Sequence, residues 1–155
     1  GTYFFTVNLE DRSSALLVDR IDDLQRAWAY VQERHPFSTI AAVVLPDHLH
    51  CVWTLPDGDT NFSTRWRLLK SHFSRSLRRN GVAGPGRREG ERDLWQRRYW
   101  EHMIRDDDDL KRHIDYVHRN PAKHGLVGSL MDWEYSTYNF WDPNPQIAHD
   151  MRRVD

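Results

Sequence analysis

His48-Leu49-His50 opens the apolar run HLHCVWTL, residues 48–55. In a strand, alternate side chains share a face, so His48 and His50 would project together while Leu49 points the other way. Two imidazoles so placed can hold one divalent ion. They can equally be strand histidines with ordinary hydrogen bonds, because H-x-H is a short pattern in a chain with 9 His. The setting favours a role: two polar side chains inside an apolar strand need partners. A second constellation lies further on. Asp109, His113, Tyr116 and Asn120 recur at steps of four, three and four, one stripe of a helix. A phenol with a pKa of about 10 is a weak nucleophile. It becomes effective where a cation polarises the group it attacks. Asn120, one turn beyond Tyr116, can add an oxygen ligand to such a cation; it can also simply end the helix before Pro121.

Positioning these groups requires a definite set of elements. Tyr3–Leu9 (YFFTVNL) reads as a strand, and Ser13–Arg20 as a connector or the start of a short helix. Ile21, Leu24, Trp28 and Val31 mark an amphipathic helix over Ile21–His35, closed by Pro36. Ser38–Leu45 and His48–Leu55 form a hairpin across Pro46-Asp47. Asn61 or Ser63 caps a helix reaching Arg79, with Trp66, Leu69, Phe73 and Leu77 on one stripe. Asn80–Gly90, with four Gly and one Pro, reads as a mobile loop. A strand follows within Leu94–Arg105. Then a helix opens on the four acids Asp106–Asp109, which suit its N-terminal dipole, and ends at Arg119 or Asn120 before Pro121. Trp133–Trp141 closes the core, and Asp142–Asp155 is a loose tail. The order β-α-β-β-α-β-α predicts an α+β fold: a ferredoxin-like, split βαβ antiparallel sheet with helices on one face and an added C-terminal helix carrying Tyr116.

Charge narrows the function classes. The chain has a formal net charge of −1, yet residues 65–98 hold eleven Lys/Arg against three acids, a local +8. Such a dipolar chain can aim a basic face at phosphates, although a charge run is often only a solvated surface. Lys70, Arg75, Arg78, Arg79, Arg97 and Arg98 are the candidate phosphate contacts. Trp66, Trp95 and Trp100 lie among them; large aromatics usually bury, but one of them could stack an unpaired base. The single Cys51 excludes an internal disulfide framework and a multi-cysteine zinc site. No apolar run reaches the ~20 residues of a membrane span, so the expected location is the cytoplasm.

Four segments together resemble the REP-associated tyrosine transposases, single-tyrosine members of the His-hydrophobe-His superfamily of single-strand DNA nucleases. They are Thr2–Leu9 (TYFFTVNL), Leu45–His50 (LPDHLH), Trp95–Arg105 (WQRRYWEHMIR) and His113–Val127 (HIDYVHRNPAKHGLV). The resemblance implies one catalytic domain over residues 2–141, followed by a tail, 142–155, that matches no family motif. It implies that His48 and His50 bind the metal, that Tyr116 is the nucleophile, and that Asn120 is a third ligand. It implies a Mg²⁺- or Mn²⁺-dependent enzyme that cleaves and rejoins single-stranded DNA beside a palindromic hairpin through a 5′-phosphotyrosine. Monomer and homodimer both stay open. A non-catalytic, RRM-like single-strand binder on the same sheet is the main alternative, although the strands lack its aromatic pattern.

Overall fold

A computed structural model describes residues 1–82 and 94–145. In chain order the elements are β1 (Thr2–Asn8), α1 (Leu16–Asp19), α2 (Ile21–Arg34), β2 (Ser38–Val44), β3 (His48–Thr54), α3 (Phe62–Arg79), β4 (Trp100–Met103) and α4 (Asp107–Lys123). Two 3₁₀ turns follow, Leu130–Asp132 and Thr137–Asn139. The strands form one antiparallel sheet in the order β2-β3-β1-β4. With α2 and α3 as the two crossovers, that order is the ferredoxin-like arrangement expected from the sequence. Of the expected Asn80–Gly90 loop, only residues 80–82 are described, and Arg87, Arg88 and Arg92 lie outside the described residues.

Alternation along the strands sorts the core into two layers. Tyr3, Phe5, Val7, Leu49, Cys51 and Trp53 face α2 and α3, whose Leu24, Trp28, Val31, Trp66, Leu69, Phe73 and Leu77 meet them. Indoles dominate this layer: Trp53 stacks on Trp66 at 4.2 Å and meets Trp28 edge-on at 5.6 Å. The α3 stripe is the one the sequence predicts, and Asn61 is its cap, accepting from the Thr64 N–H at 3.1 Å. On the opposite face, Phe4, Ala41, Val43 and Val52 are buried with Val117, against Leu110 and Ile114 of α4. The added helix therefore lies across the sheet from α2 and α3. It covers the β2–β3 side of the face an RRM would leave open, and leaves Trp100 on β4 exposed.

Two expectations change. Pro121 does not stop α4; it sits inside the last turn, where its missing N–H costs one helical bond. The stop comes at Gly125, whose φ of +71° places it in the left-handed region. Gly125 N–H donates to Ala122 O and Leu126 N–H to Pro121 O, both at 3.0 Å, a Schellman closure. The chain past Trp141 is also fastened further than a loose tail would be. Gln25 Nε2 donates to Asp142 O at 3.0 Å, and Asn144 Nδ2 donates to Gln32 Oε1 at 2.8 Å. The rest of the expected tail, 146–155, lies outside the described residues.

Candidate active site

The period-two pattern of β3 places His48 and His50 on the α4 side of the sheet, with ring centroids 4.9 Å apart, and Leu49 in the opposite layer. Both imidazoles are buried. Each is oriented through Nδ1. His48 Nδ1–H donates to Asp47 Oδ1 at 2.9 Å, and Asp47 is paired in turn with Arg12. His50 Nδ1 lies 2.7 Å from the Thr6 hydroxyl on β1, its register partner. With the ring proton on Nδ1, each histidine presents Nε2 as a lone pair, the arrangement metal-ligating histidines adopt.

Helix α4 brings the other two candidates to the same place. Tyr116 is 38% exposed, and its ring meets His50 at 5.3 Å and Phe4 at 5.8 Å, both nearly edge-on. Asn120 is fully buried one turn further on, so it does not cap the helix; His124 does. Two polar atoms here, His50 Nε2 and Asn120 Oδ1, make no hydrogen bond of good geometry, although Asn120 lies close enough to His50 to favour its protonated form. Leaving two buried polar atoms unpaired costs ~1–3 kcal/mol each. A nitrogen lone pair and an amide oxygen are a donor set that a divalent cation satisfies. The residues present therefore fit a metal held by His48, His50 and Asn120. Burial, followed by the like charges of His48 and His124, pushes the His50 pKa down to about 3, so the ring is neutral and ligand-ready at pH 7.

An open cleft of about 510 Å³ lies beside these groups, lined by Phe4, Thr6, His50, Trp100, Arg112, His113 and Tyr116. No family model matches the chain. It is 44% identical over 139 residues to the REP-associated tyrosine transposase of Escherichia coli, spanning 90% of this chain and 77% of that one. The chain belongs to the REP-associated tyrosine transposase family. A Haemophilus influenzae protein given the same family name is 43% identical over 141 residues, 90% of this chain and 80% of its own. Among solved structures, a REP-associated tyrosine transposase bound to a REP hairpin superposes with a TM-score of 0.78 at 44% identity, over 90% of this chain and 77% of that chain. A Deinococcus radiodurans crystal structure shares the fold alone, with a TM-score of 0.54 at 16% identity.

In this member of the REP-associated tyrosine transposase family, the predicted basic residues do not gather at Tyr116. Lys70, Arg75, Arg78 and Arg79 ride on α3, across the sheet from α4. Lys70 is largely buried; it donates to Gln96 O at 3.1 Å, lies over the Tyr99 ring, and burial pushes its pKa down to about 8. Arg75 and Arg79 join Arg26 and Arg34 around His72, a basic outer surface between α2 and α3. Arg97 and Arg98 are exposed just before β4. Arg65, counted in the +8 segment, is internal: it clasps Asp59 and donates to the carbonyls of His35, Pro36 and Asn61. Trp66 and Trp95 are core residues, whereas Trp100 is exposed.

The sequence reading missed one cluster. Asp109, buried in the first turn of α4, accepts from the Arg105 N–H at 2.9 Å and from His102 Nε2 at 2.8 Å, with Arg112 and His113 at 3.3 Å. The Arg105 backbone bond, then His102, hold its carboxyl well below the usual range. His102, Asp109 and His113 bring one ligand atom each within 4.8 Å of one another, so this group too can hold a metal ion. His113 Nδ1 lies 2.8 Å from the Asp109 carbonyl, which only accepts, so this nitrogen carries a proton. The i,i+4 spacing of Asp109 and His113 is legible in the sequence, and His102 falls on the predicted strand with an approach to the metal site expected of it; its actual partner, Asp109, is set by tertiary contact.

Four buried or partly buried histidines set an expected pH dependence for the metal-free protein. His48, His50, His72 and His118 all have pKa values lowered, chiefly by burial. Unfolded histidine titrates at about 6.5. Below that value the unfolded chain binds protons that the folded chain refuses, so stability falls as pH falls. For His50 the window runs down to about pH 3, with a slope of up to ~1.4 kcal/mol per pH unit. The lowered carboxyls, Asp23, Asp47, Asp59 and Asp109, act later, since their contribution is lost only below the unfolded value of about 3.9. Urea unfolding between about pH 7.5 and 4.5 checks this; a flat midpoint would contradict it.

Proposed function

We propose that this chain is a metal-dependent single-strand DNA endonuclease and strand transferase, acting beside short palindromic hairpins through a covalent bond to Tyr116. The observation that carries the reading is the convergence of side chains from two elements, β3 and α4. The Tyr116 ring lies 5.3 Å from His50, which lies 4.9 Å from His48, and Asn120 is fully buried one turn beyond Tyr116 on the same helix. The hairpin-bound relative supports the substrate class.

In the proposed reaction the Tyr116 phenol oxygen attacks phosphorus, forming a phenolic O–P bond while the P–O3′ bond breaks. The strand 3′ of the break stays on the enzyme, its 5′-phosphate now esterified to the phenol as phosphotyrosine. The phenol gives up its proton and the departing O3′ takes one up, so the upstream strand is released with a 3′-hydroxyl. A 3′-hydroxyl of the same or another strand reverses the step and rejoins DNA. One phosphodiester replaces another, so no nucleotide cofactor is consumed. His48, His50 and Asn120 would hold a Mg²⁺ or Mn²⁺ ion, which would polarise the scissile phosphate as a Lewis acid. Asp47 accepts from His48 Nδ1–H and so leaves Nε2 of that ring to ligate, and the Thr6 hydroxyl orients the His50 ring. Arg75, Arg78, Arg79, Arg97 and Arg98 are assigned to phosphate contacts away from the reacting centre, with Lys70 as a secondary one because its amine is already bonded. The domain is assigned to residues 2–141, and monomeric or homodimeric action fits the reading equally.

The test is a labelled hairpin-bearing oligonucleotide incubated with protein and Mn²⁺, then denatured. A slow-migrating protein–DNA adduct is expected. Cleavage without adduct would mean a water nucleophile, and binding without cleavage a non-catalytic module. A companion test concerns Asn120. Asn120→Leu keeps the branching of the side chain, removes the buried oxygen and gives up only a long 3.4 Å bond from Nδ2 to Tyr116 O, so the metal-free protein is expected to melt close to the parent. Added Mn²⁺ should stabilise the parent, by ~2.7 kcal/mol at a hundred times its dissociation constant, and the variant much less. An equal shift in both by calorimetry would remove Asn120 from the ligand set.

A further inference from the structure

Among the seven tryptophans, Trp100 alone is largely exposed, at 64%. It is also the one that lines the cleft with Tyr116. Its place follows from the register. Trp100 pairs with Thr6 on β1, and Thr6 pairs with His50 on β3. Directly paired residues of an antiparallel sheet share a face, so His50, Thr6 and Trp100 form one row toward the open edge. Strand spacing puts the indole about 10 Å from the imidazole, two strands away. Arg112 from α4 lines the same cleft, and its side chain is 62% exposed although it reaches Asp109. An exposed indole beside a guanidinium, at the mouth of a site for a phosphodiester, matches the two faces of a nucleotide: a flat ring and an anionic link.

We propose that Trp100 is the platform of a nucleobase subsite, on which one unpaired base flanking the attacked phosphate stacks, with Arg112 facing the adjoining phosphate. The proposal rests on the function read above. Within it, Trp100 positions the strand and does not take part in bond making. Stacking is tolerant of base identity, so the subsite fixes where the strand lies more than which sequence it reads.

The experiment uses the whole chain and oligonucleotides with a self-complementary stem and mixed-sequence unpaired flanks, each carrying one abasic position scanned through the flanks. Binding is measured by anisotropy for the parent, Trp100→Ala and Trp100→Phe; adduct formation is followed in parallel. Trp100→Ala is expected to weaken binding to intact oligonucleotide by about tenfold, within the range for loss of one stacked base. Trp100→Phe should recover most of it. At one flank position, removing the base should cost the parent a similar factor and Trp100→Ala almost nothing. Equal abasic penalties in parent and Trp100→Ala at every position would overturn the subsite, as would unchanged binding by Trp100→Ala. A uniform loss without positional coupling would mean that Trp100 only supports the sheet edge, and also overturns it. If the coupling is seen but the parent forms no adduct, the strand-transfer reading fails while the base subsite stands.

Discussion

Tyr116→Phe is expected to remove the covalent adduct entirely and to lower DNA cleavage on the order of 10⁴-fold or more, while leaving the fold and DNA binding intact. The separation follows from what the residue touches. Its ring packs edge-on against Phe4 and His50, with the Lys123 ammonium over its face at 5.0 Å. Phenylalanine keeps those contacts. The hydroxyl makes no hydrogen bond among the described residues, so removing it should change stability by less than ~0.5 kcal/mol. What is lost is the one oxygen that attacks, and loss of a nucleophile is among the largest single-residue effects in enzyme kinetics. A denaturing gel for adduct and a thermal melt for folding check both halves. Residual adduct in Tyr116→Phe would mean that another residue attacks.

His50→Ala is expected to lower cleavage on the order of 10³-fold or more at saturating Mn²⁺, because it removes a ligand and with it the charge that offsets the developing oxyanion. Binding to the hairpin oligonucleotide should persist, since the basic surface around His72 lies across the sheet. Some stability is at stake. The ring is buried, stacked on Phe4 at 5.9 Å and bonded to Thr6, so truncation should cost ~1–3 kcal/mol in the metal-free protein. Stabilisation by Mn²⁺ should vanish. Full cleavage by a folded His50→Ala would shift the metal role to His102, Asp109 and His113, a second group able to ligate an ion among the described residues.

Much of this architecture is legible in the chain because it rests on local periodicity. The alternation in HLHCVWTL places His48 and His50 together, and the four-three-four steps from Asp109 place Tyr116 and Asn120 on one helix stripe. Two features depend on tertiary contact and are not legible. Arg65 and Lys70 look like surface cations on a basic helix, but the first is tied to three carbonyls and Asp59 and the second to Gln96 O. Local spacing also cannot say which sheet face α4 covers. That choice makes the histidine face and the tyrosine stripe meet. Pro121 misled for a different reason: a proline in the last turn breaks little, and the left-handed Gly125 four residues on supplies the stop.

The most direct test is to digest the trapped adduct and sequence the DNA-bearing peptide by mass spectrometry. The expected product is a peptide spanning Tyr116 with a nucleotide joined through its 5′-phosphate to the phenol, formed only when Mn²⁺ or Mg²⁺ is present. Attachment at any other residue, or DNA cut in the same reaction with no peptide attached, would contradict the convergence of phenol and imidazoles as the source of the chemistry.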